Sequence, residues 1–384
     1  MIPSSYIELS KAALKQNIKY LKQRIGNARF VSVIKGNAYG HGIKQFLPLA
    51  EKCGIDFFAV TDAQEALLAS EVKDKKSHIV IMNMIDNEDL GWAIDNGISF
   101  FVFNFDRLEN TIKIAKKSKI KARIHLELET GFNRSGFSED EIDKVSGLIN
   151  RNRDHLILDG ICTHYAGAES IANYHRIMQQ KERFHKSGEI LKSKNISPVY
   201  YHSACSAAAL TYKETIMDMV RFGIAQYGFW PSNETRMYNM LSDEAHFRKD
   251  PLKRILSWKS KVVSVKVIEA GEFIGYGNNF LAPSRMRTAI VPVGYHHGFS
   301  RSLSNQGHVL IGKRKAPVIG MVNMNMIIVD ISKIPRVAIG NEVVLIGRQG
   351  NKEITVSSFS DLANYVNYEM LVSLSADIPR VVGK

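Results

Sequence analysis

Short β-branched apolar runs alternate with longer amphipathic stretches through the first two-thirds of the chain. The runs Phe30–Ile34, Phe57–Val60, His78–Met82, Ser99–Phe103, Arg123–Leu128, Leu156–Thr163, Val199–His202 and Asp218–Arg221 are too short for helices and read as strands. Between them, Asp62–Ser70, Ile142–Asn150 and Ala172–Lys192 repeat apolar positions at helical spacing. Eight strands alternating with helices predict an α/β fold, a (β/α)8 TIM barrel with a parallel sheet. Beyond about residue 235 the pattern changes. Ile255–Glu269, Thr288–Val293, His308–Ile311, Ala316–Met321, Met326–Ile331 and Glu342–Ile346 are strand-like and set off by Gly or Pro turns. Ser357–Tyr365 and Tyr368–Ser375 read as short helices. The expectation is a barrel domain over residues 1–235 and a β-rich domain over 236–384, with roughly the first eight residues packing on the second domain.

Composition narrows the class. The chain has 384 residues, enough for two domains, and 45% of them are apolar. No apolar stretch reaches the ~18–20 residues that span a bilayer. The opening, Met1–Lys15, lacks the apolar core of a signal peptide, so a cytoplasmic protein is expected. Cys53, Cys162 and Cys205 are odd in number, far apart and without metal-ligand spacing, which argues against a disulfide framework or a metal site. The net charge of +13 includes a cluster at Lys113, Lys116, Lys117, Lys119, Lys121 and Arg123. No aromatic residues interleave with it and no nucleic-acid motif accompanies it, so it reads as a solvated face.

The chemistry concentrates at the end of the first strand. There Lys35–Gly36–Asn37–Ala38–Tyr39–Gly40–His41–Gly42 follows the buried run. Barrel enzymes keep their reactive groups at the C-terminal ends of strands. A lysine whose pKa is lowered by apolar surroundings can form a Schiff base with an aldehyde, and the three glycines let backbone approach a ligand. Lys35 alone reads better as a solvated lysine capping a strand, because lysines at strand ends are common.

The whole octet resembles the cofactor-lysine motif of the alanine racemases, two-domain pyridoxal-phosphate enzymes that interconvert L- and D-alanine. The resemblance continues in order through Tyr6–Ile7–Glu8–Leu9, Glu129–Thr130–Gly131–Phe132–Asn133–Arg134, Thr163–His164 and Ser206–Ala207–Ala208. It then runs through Val220–Arg221–Phe222–Gly223–Ile224, Gly275–Tyr276–Gly277, Pro292–Val293–Gly294–Tyr295 and Ile378–Pro379–Arg380. It implies that Lys35 holds pyridoxal 5′-phosphate and serves as one of two bases. The other base is Tyr276 of the partner subunit in a head-to-tail homodimer. The phosphate falls to Ser206, the amides of Gly223 and Ile224, and Tyr39. Arg221 then faces the pyridine nitrogen, His164 lies beside the ring, and Arg134 serves the phenolic oxygen and the substrate carboxylate. Tyr295 and Met324 line the substrate site. The implied activity is racemisation of L-alanine to D-alanine for peptidoglycan. Racemisation of serine or a larger or basic amino acid, and a non-catalytic pyridoxal-phosphate protein, are the alternatives.

The chain departs from the family pattern in four places. Glu127 stands where many members carry a carbamylated lysine, and a fixed carboxylate there supplies an anion near Arg134. Asn325 replaces an aspartate, Ala376 replaces a tyrosine that crowds the substrate methyl, and His296–His297 replaces Ala-Asp. The last two bear on substrate range, since a few methylenes of space shift discrimination by ~1–3 kcal/mol.

Overall fold

The computed structural model describes residues 3–242, 250–363 and 367–383. Its strands in chain order are β1 Ser5–Leu9, β2 Arg29–Val33, β3 Phe57–Val60, β4 His78–Ile81, β5 Ser99–Val102, β6 Ala122–Glu127, β7 Leu156–Cys162, β8 Tyr200–His202 and β9 Met219–Phe222. They continue with β10 Leu256–Lys261, β11 Ser264–Ile268, β12 Met286–Val291, β13 His308–Ile311, β14 Arg314–Ile319, β15 Ile327–Asp330, β16 Glu342–Gln349, β17 Lys352–Ile354 and β18 Arg380–Val382. The chain divides into two compact units. One comprises Ala12–Lys35 and Leu47–Lys253; the other comprises Met1–Lys11, Gly36–Phe46 and Arg254–Lys384.

The first unit is the expected barrel. Eight parallel strands pair in the order β8–β7–β6–β5–β4–β3–β2–β9, and strands such as β3, β5 and β9 are buried throughout, as a parallel sheet covered on both faces requires. The ends of this order come together through the Asp218 amide, which donates to Tyr201 O at 3.1 Å, and the Arg221 amide, which donates to Ala204 O at 3.0 Å. The barrel is thereby nearly closed. At the opposite strand ends, Arg123 grips Asp159 with two donors at 2.9 and 2.7 Å, and Ser99 Oγ adds a third at 2.7 Å, tying β5, β6 and β7.

The second unit is mostly strand. Its sheet runs β11–β12–β15–β14–β13–β16–β10–β1–β18, with β17 on β16. The apolar run Ile255–Glu269, read as one strand, is two. It breaks at Val262–Val263, so that β10 pairs with β1 and β16 while β11 pairs with β12. β1 sits antiparallel to β10 and parallel to β18; Ile7 and Leu9 are buried, opposite Trp258 and Leu256 in the β10 register. The helices here are Val356–Ala363 and Asn367–Val372; the end of the expected Ser357–Tyr365 helix lies outside the described residues.

The octet after β2 takes an uncommon path. Gly36, Asn37, Ala38 and Tyr39 have φ of 61, 51, 54 and 51°, one turn of left-handed helix closed by Gly40 N–H donating to Gly36 O at 2.9 Å. Each non-glycine residue in this hand costs about 1–2 kcal/mol, so neighbouring bonds must hold the turn. Arg380 does so, donating through Nε and Nη2 to Gly40 O at 3.2 and 2.9 Å, while Nη1 donates to Ser375 O and Ala376 O at 2.6 and 3.0 Å. Burial lowers this guanidinium's pKa to about 10. The octet's glycines were expected to admit a ligand, but Gly40 has an internal reason. A Cβ there would lie 1.9 Å from Leu371 O, at a φ of 75° that side chains avoid.

Gly40→Ala is expected to lower stability by roughly 2–4 kcal/mol, from the strained φ and the clash together. The urea midpoint reads it, and a change under about 0.5 kcal/mol, the size of an ordinary surface substitution, would contradict the packing described.

Candidate active site

Within the barrel unit, the expected residues gather at the C-terminal strand ends. Lys35 lies two residues past β2, Arg134 in the loop after β6, and His164 two residues past β7. Ser206 follows β8, Arg221 lies in β9, and Gly223–Ile224 comes directly after it. Lys35 is exposed. Partial desolvation and the nearby Arg134 charge nevertheless hold its ammonium below the ordinary lysine pKa, against the opposing pull of Glu65. Arg134 stacks its guanidinium over Phe132 at 4.3 Å, and that ring lies 5.5 Å from His164. Burial, then Arg221, Arg134 and Lys35, push His164 down to about 3, so it is neutral at physiological pH. Ser206 Oγ accepts the Gly223 amide at 3.0 Å, which brings a hydroxyl and a glycine backbone together. That pairing suits an anion.

Arg221 is buried, and among the described residues no carboxylate is bonded to it. Nη1 donates to His202 Nδ1 and to His202 O at 3.2 Å; Nη2 donates to Thr163 O at 2.7 Å and Ser203 O at 2.9 Å. An arginine only donates, so His202 Nδ1 must carry no proton. Its Nε2–H therefore donates to His125 Nδ1 at 2.9 Å, and both rings are neutral. Burial and Arg221 lower both pKa values, that of His125 to about 3. Four of Arg221's five donors are thus committed, and Nε–H is the one left over among the described bonds. Glu127 is buried, accepts from Ser135 Oγ at 3.0 Å and feels Arg134 and Arg221 through space. Burial is the larger effect and raises its pKa.

The remaining expected residues lie in the second unit. Tyr276 occupies a turn between Gly275 and Gly277, with φ of 80 and 65°, and is 73% exposed. The Tyr295 amide donates to Asn323 O at 3.0 Å and that of His296 to Met324 O at 3.1 Å, so the structure brings Tyr295 and Met324 together on an open face. His297 Nδ1 accepts from Gly294 N–H at 3.2 Å, which makes it a turn-capping residue. Tyr39 is buried in the left-handed turn, its ring 6.1 Å from that of Tyr368.

The chain resembles known proteins over nearly its whole length. The profile described as "Alanine racemase, N-terminal domain" matches residues 9–231, and that described as "Alanine racemase, C-terminal domain" matches residues 255–382. The chain belongs to the alanine racemase family. It is 34% identical to the alanine racemase of Leptospira interrogans over 99% of this chain and 96% of that one. It is 31% identical to alanine racemase 1 of Caldanaerobacter subterraneus over 98% and 94%. Among solved structures, the Bacillus anthracis alanine racemase with bound L-Ala-P superposes with a TM-score of 0.89 at 26% identity, covering 100% of this chain and 96% of that one. The enzyme from D-cycloserine producing Streptomyces lavendulae gives 0.88 at 25%, covering 100% and 98%. The chain is accordingly an amino-acid racemase built on the family's barrel and strand-rich domains.

Two residues of this racemase site escaped sequence reading, His125 and His202. Their signal was a polar ring in the middle or at the end of an otherwise apolar strand, which reads equally as a satisfied core histidine. Among the described residues no cluster of His, Cys, Asp and Glu is arranged to hold a metal.

His125 has a folded pKa of about 3 against an ordinary 6.5, so below 6.5 the unfolded chain binds a proton that the folded chain refuses. Its contribution is present above 6.5 and lost as pH falls toward 3. His125→Gln is therefore expected to flatten the stability slope between pH 6 and 4 by about 1.4 kcal/mol per pH unit, one proton's worth. Urea midpoints across that range test it, and an unchanged slope would contradict a neutral buried ring.

Proposed function

We propose that this racemase interconverts L- and D-alanine with pyridoxal 5′-phosphate, using Lys35 and Tyr276 of the partner subunit as two bases, and so supplies D-alanine for peptidoglycan. One observation carries the reading. A solvent-reachable lysine with a loosened proton lies at a strand end among Arg134, His164 and Arg221, with the Ser206–Gly223 donor pair at the neighbouring strands. The residues fit an anionic, aldehyde-bearing ring: the set is cationic or neutral, and its one buried carboxylate, Glu127, is held by Ser135.

Pyridoxal phosphate, when bound, supplies an aldehyde that takes up amino groups and a ring that accepts the electron pair left when a Cα proton departs. Ser206 Oγ and the amides of Gly223 and Ile224 would hold its phosphate, with Tyr39 as a further donor. Arg221 would serve the ring nitrogen through Nε–H, the donor left over among the described bonds. Because a guanidinium keeps its proton at working pH, such a contact would donate a hydrogen bond without protonating the ring. His164, neutral, would lie beside the ring without adding charge. Arg134 binds the substrate carboxylate, and Glu127 orients Arg134 electrostatically as an unmodified side chain. Tyr295 and Met324 bound the space for the substrate side chain.

Racemisation requires a proton to leave one face of Cα and another to arrive on the opposite face. Lys35 Nζ serves one face, helped by its lowered pKa. In this reading Tyr276 serves the site of the partner subunit. It is exposed, as are Phe273, Leu281, Tyr295 and Met324 of the same unit, and exposed apolar side chains are what a second copy can cover. Two chains arranged head to tail would each complete the other's site.

Lys35→Ala and Tyr276→Phe are each expected to abolish racemisation nearly completely. Unfolded together and refolded, the two variants should recover about a quarter of wild-type activity, because about half of randomly paired dimers carry one intact site. No recovery from the mixture, with dimers demonstrated, would contradict the shared site.

A further inference from the structure

The strand that carries Lys35 is tied to the turn that carries Gly223 by a buried side-chain network unused in the mechanism above. The β2–β9 ladder ends at the pair Ser32–Phe222. One residue further, Val33 O accepts two side-chain donors instead, Gln226 Nε2 at 2.9 Å and Tyr227 Oη at 2.9 Å. Gln226 Nε2 also donates to Phe222 O at 3.0 Å, and its Oε1 accepts from Ser32 Oγ at 2.7 Å. The amide's orientation follows from this, since only its nitrogen can serve two carbonyls and only its oxygen can accept the hydroxyl. Asn17 fixes the network from behind, donating to Gln226 O at 3.0 Å and Lys253 O at 2.8 Å and accepting the Lys253 amide at 2.7 Å. Ser32, Asn17, Gln226 and Tyr227 are fully buried.

We infer that Gln226 and Tyr227 are positioning residues that set the separation between the phosphate-holding turn and the lysine-bearing strand. The inference rests on the proposed function. Val33 lies two residues before Lys35, and Gln226 lies three after Gly223, so the bonds at Val33 O span the two ends of the cofactor site. A lysine stem is flexible, and its Nζ is well placed only if its backbone is. A molecule held at one end by its phosphate and at the other by Nζ tolerates little error in that span. The same bonds have no bearing on an aldehyde that lacks the phosphate anchor.

The test titrates wild type, Gln226→Leu and Tyr227→Phe with pyridoxal 5′-phosphate and, separately, with pyridoxal. Borohydride then fixes the adduct, and mass spectrometry reads occupancy at Lys35. Each variant is expected to need roughly tenfold more pyridoxal phosphate for half-occupancy, the worth of about one buried hydrogen bond, with pyridoxal capture unchanged. Wild-type capture of pyridoxal phosphate by both variants would overturn the inference. So would an equal loss with both aldehydes, which marks general softening of the barrel. Tyr227→Phe removes one donor at nearly constant volume and keeps the test open if Gln226→Leu does not fold. A wild-type chain that captures neither aldehyde on Lys35 contradicts the proposed function, and this inference with it.

Discussion

The buried guanidinium of Arg221 organises the mouth of the barrel, because a fixed positive charge there leaves little choice to its neighbours. Its donors take the carbonyls of Thr163, His202 and Ser203 and one imidazole nitrogen, which pins the ends of β7 and β8 to β9. Burial first, and then this charge, disfavour a second cation nearby, so His164, His125 and His202 all stay neutral. Desolvation and Arg134 extend the trend to Lys35. A positive mouth with one buried carboxylate is poor at holding protons on its bases and well suited to an anionic ligand.

The backbone that follows Lys35 carries a second constraint. Immediately after Lys35 the chain enters a left-handed turn in which three residues are not glycine. Such a turn persists only when its surroundings over-determine it. Arg380 and the Leu371 carbonyl do that, the first by donating to Gly40 O and the second by leaving no room for a side chain at Gly40. The octet and the Ile378–Pro379–Arg380 segment, far apart in sequence, are therefore one packing unit.

Much of the barrel was legible because its strands are apolar, short and punctuated, and the candidate site residues drew notice because they end those strands. Phe57–Val60 and His308–Ile311 fall where periodicity placed them. Other features depend on contacts that no local window contains. β1 is half polar outward, and its partners β10 and β18 come from the far end of the chain. The split of Ile255–Glu269 reflects a change of partners at Val262–Val263, where side-chain pattern barely changes. The tautomers of His125 and His202 follow from Arg221's donor geometry, and the handedness of the Lys35 turn from Arg380; neither is written in composition or period.

The proton affinity of Lys35 tests this picture most directly. Competitive labelling of the cofactor-free protein across pH 7–11, with occupancy at Lys35 read by mass spectrometry against the surface lysines, reports it. The expected result is a Lys35 midpoint below the ordinary 10.5, shifting upward in Arg134→Gln. A midpoint at or above that value, indifferent to Arg134, would contradict the claim that the barrel mouth loosens the lysine's proton.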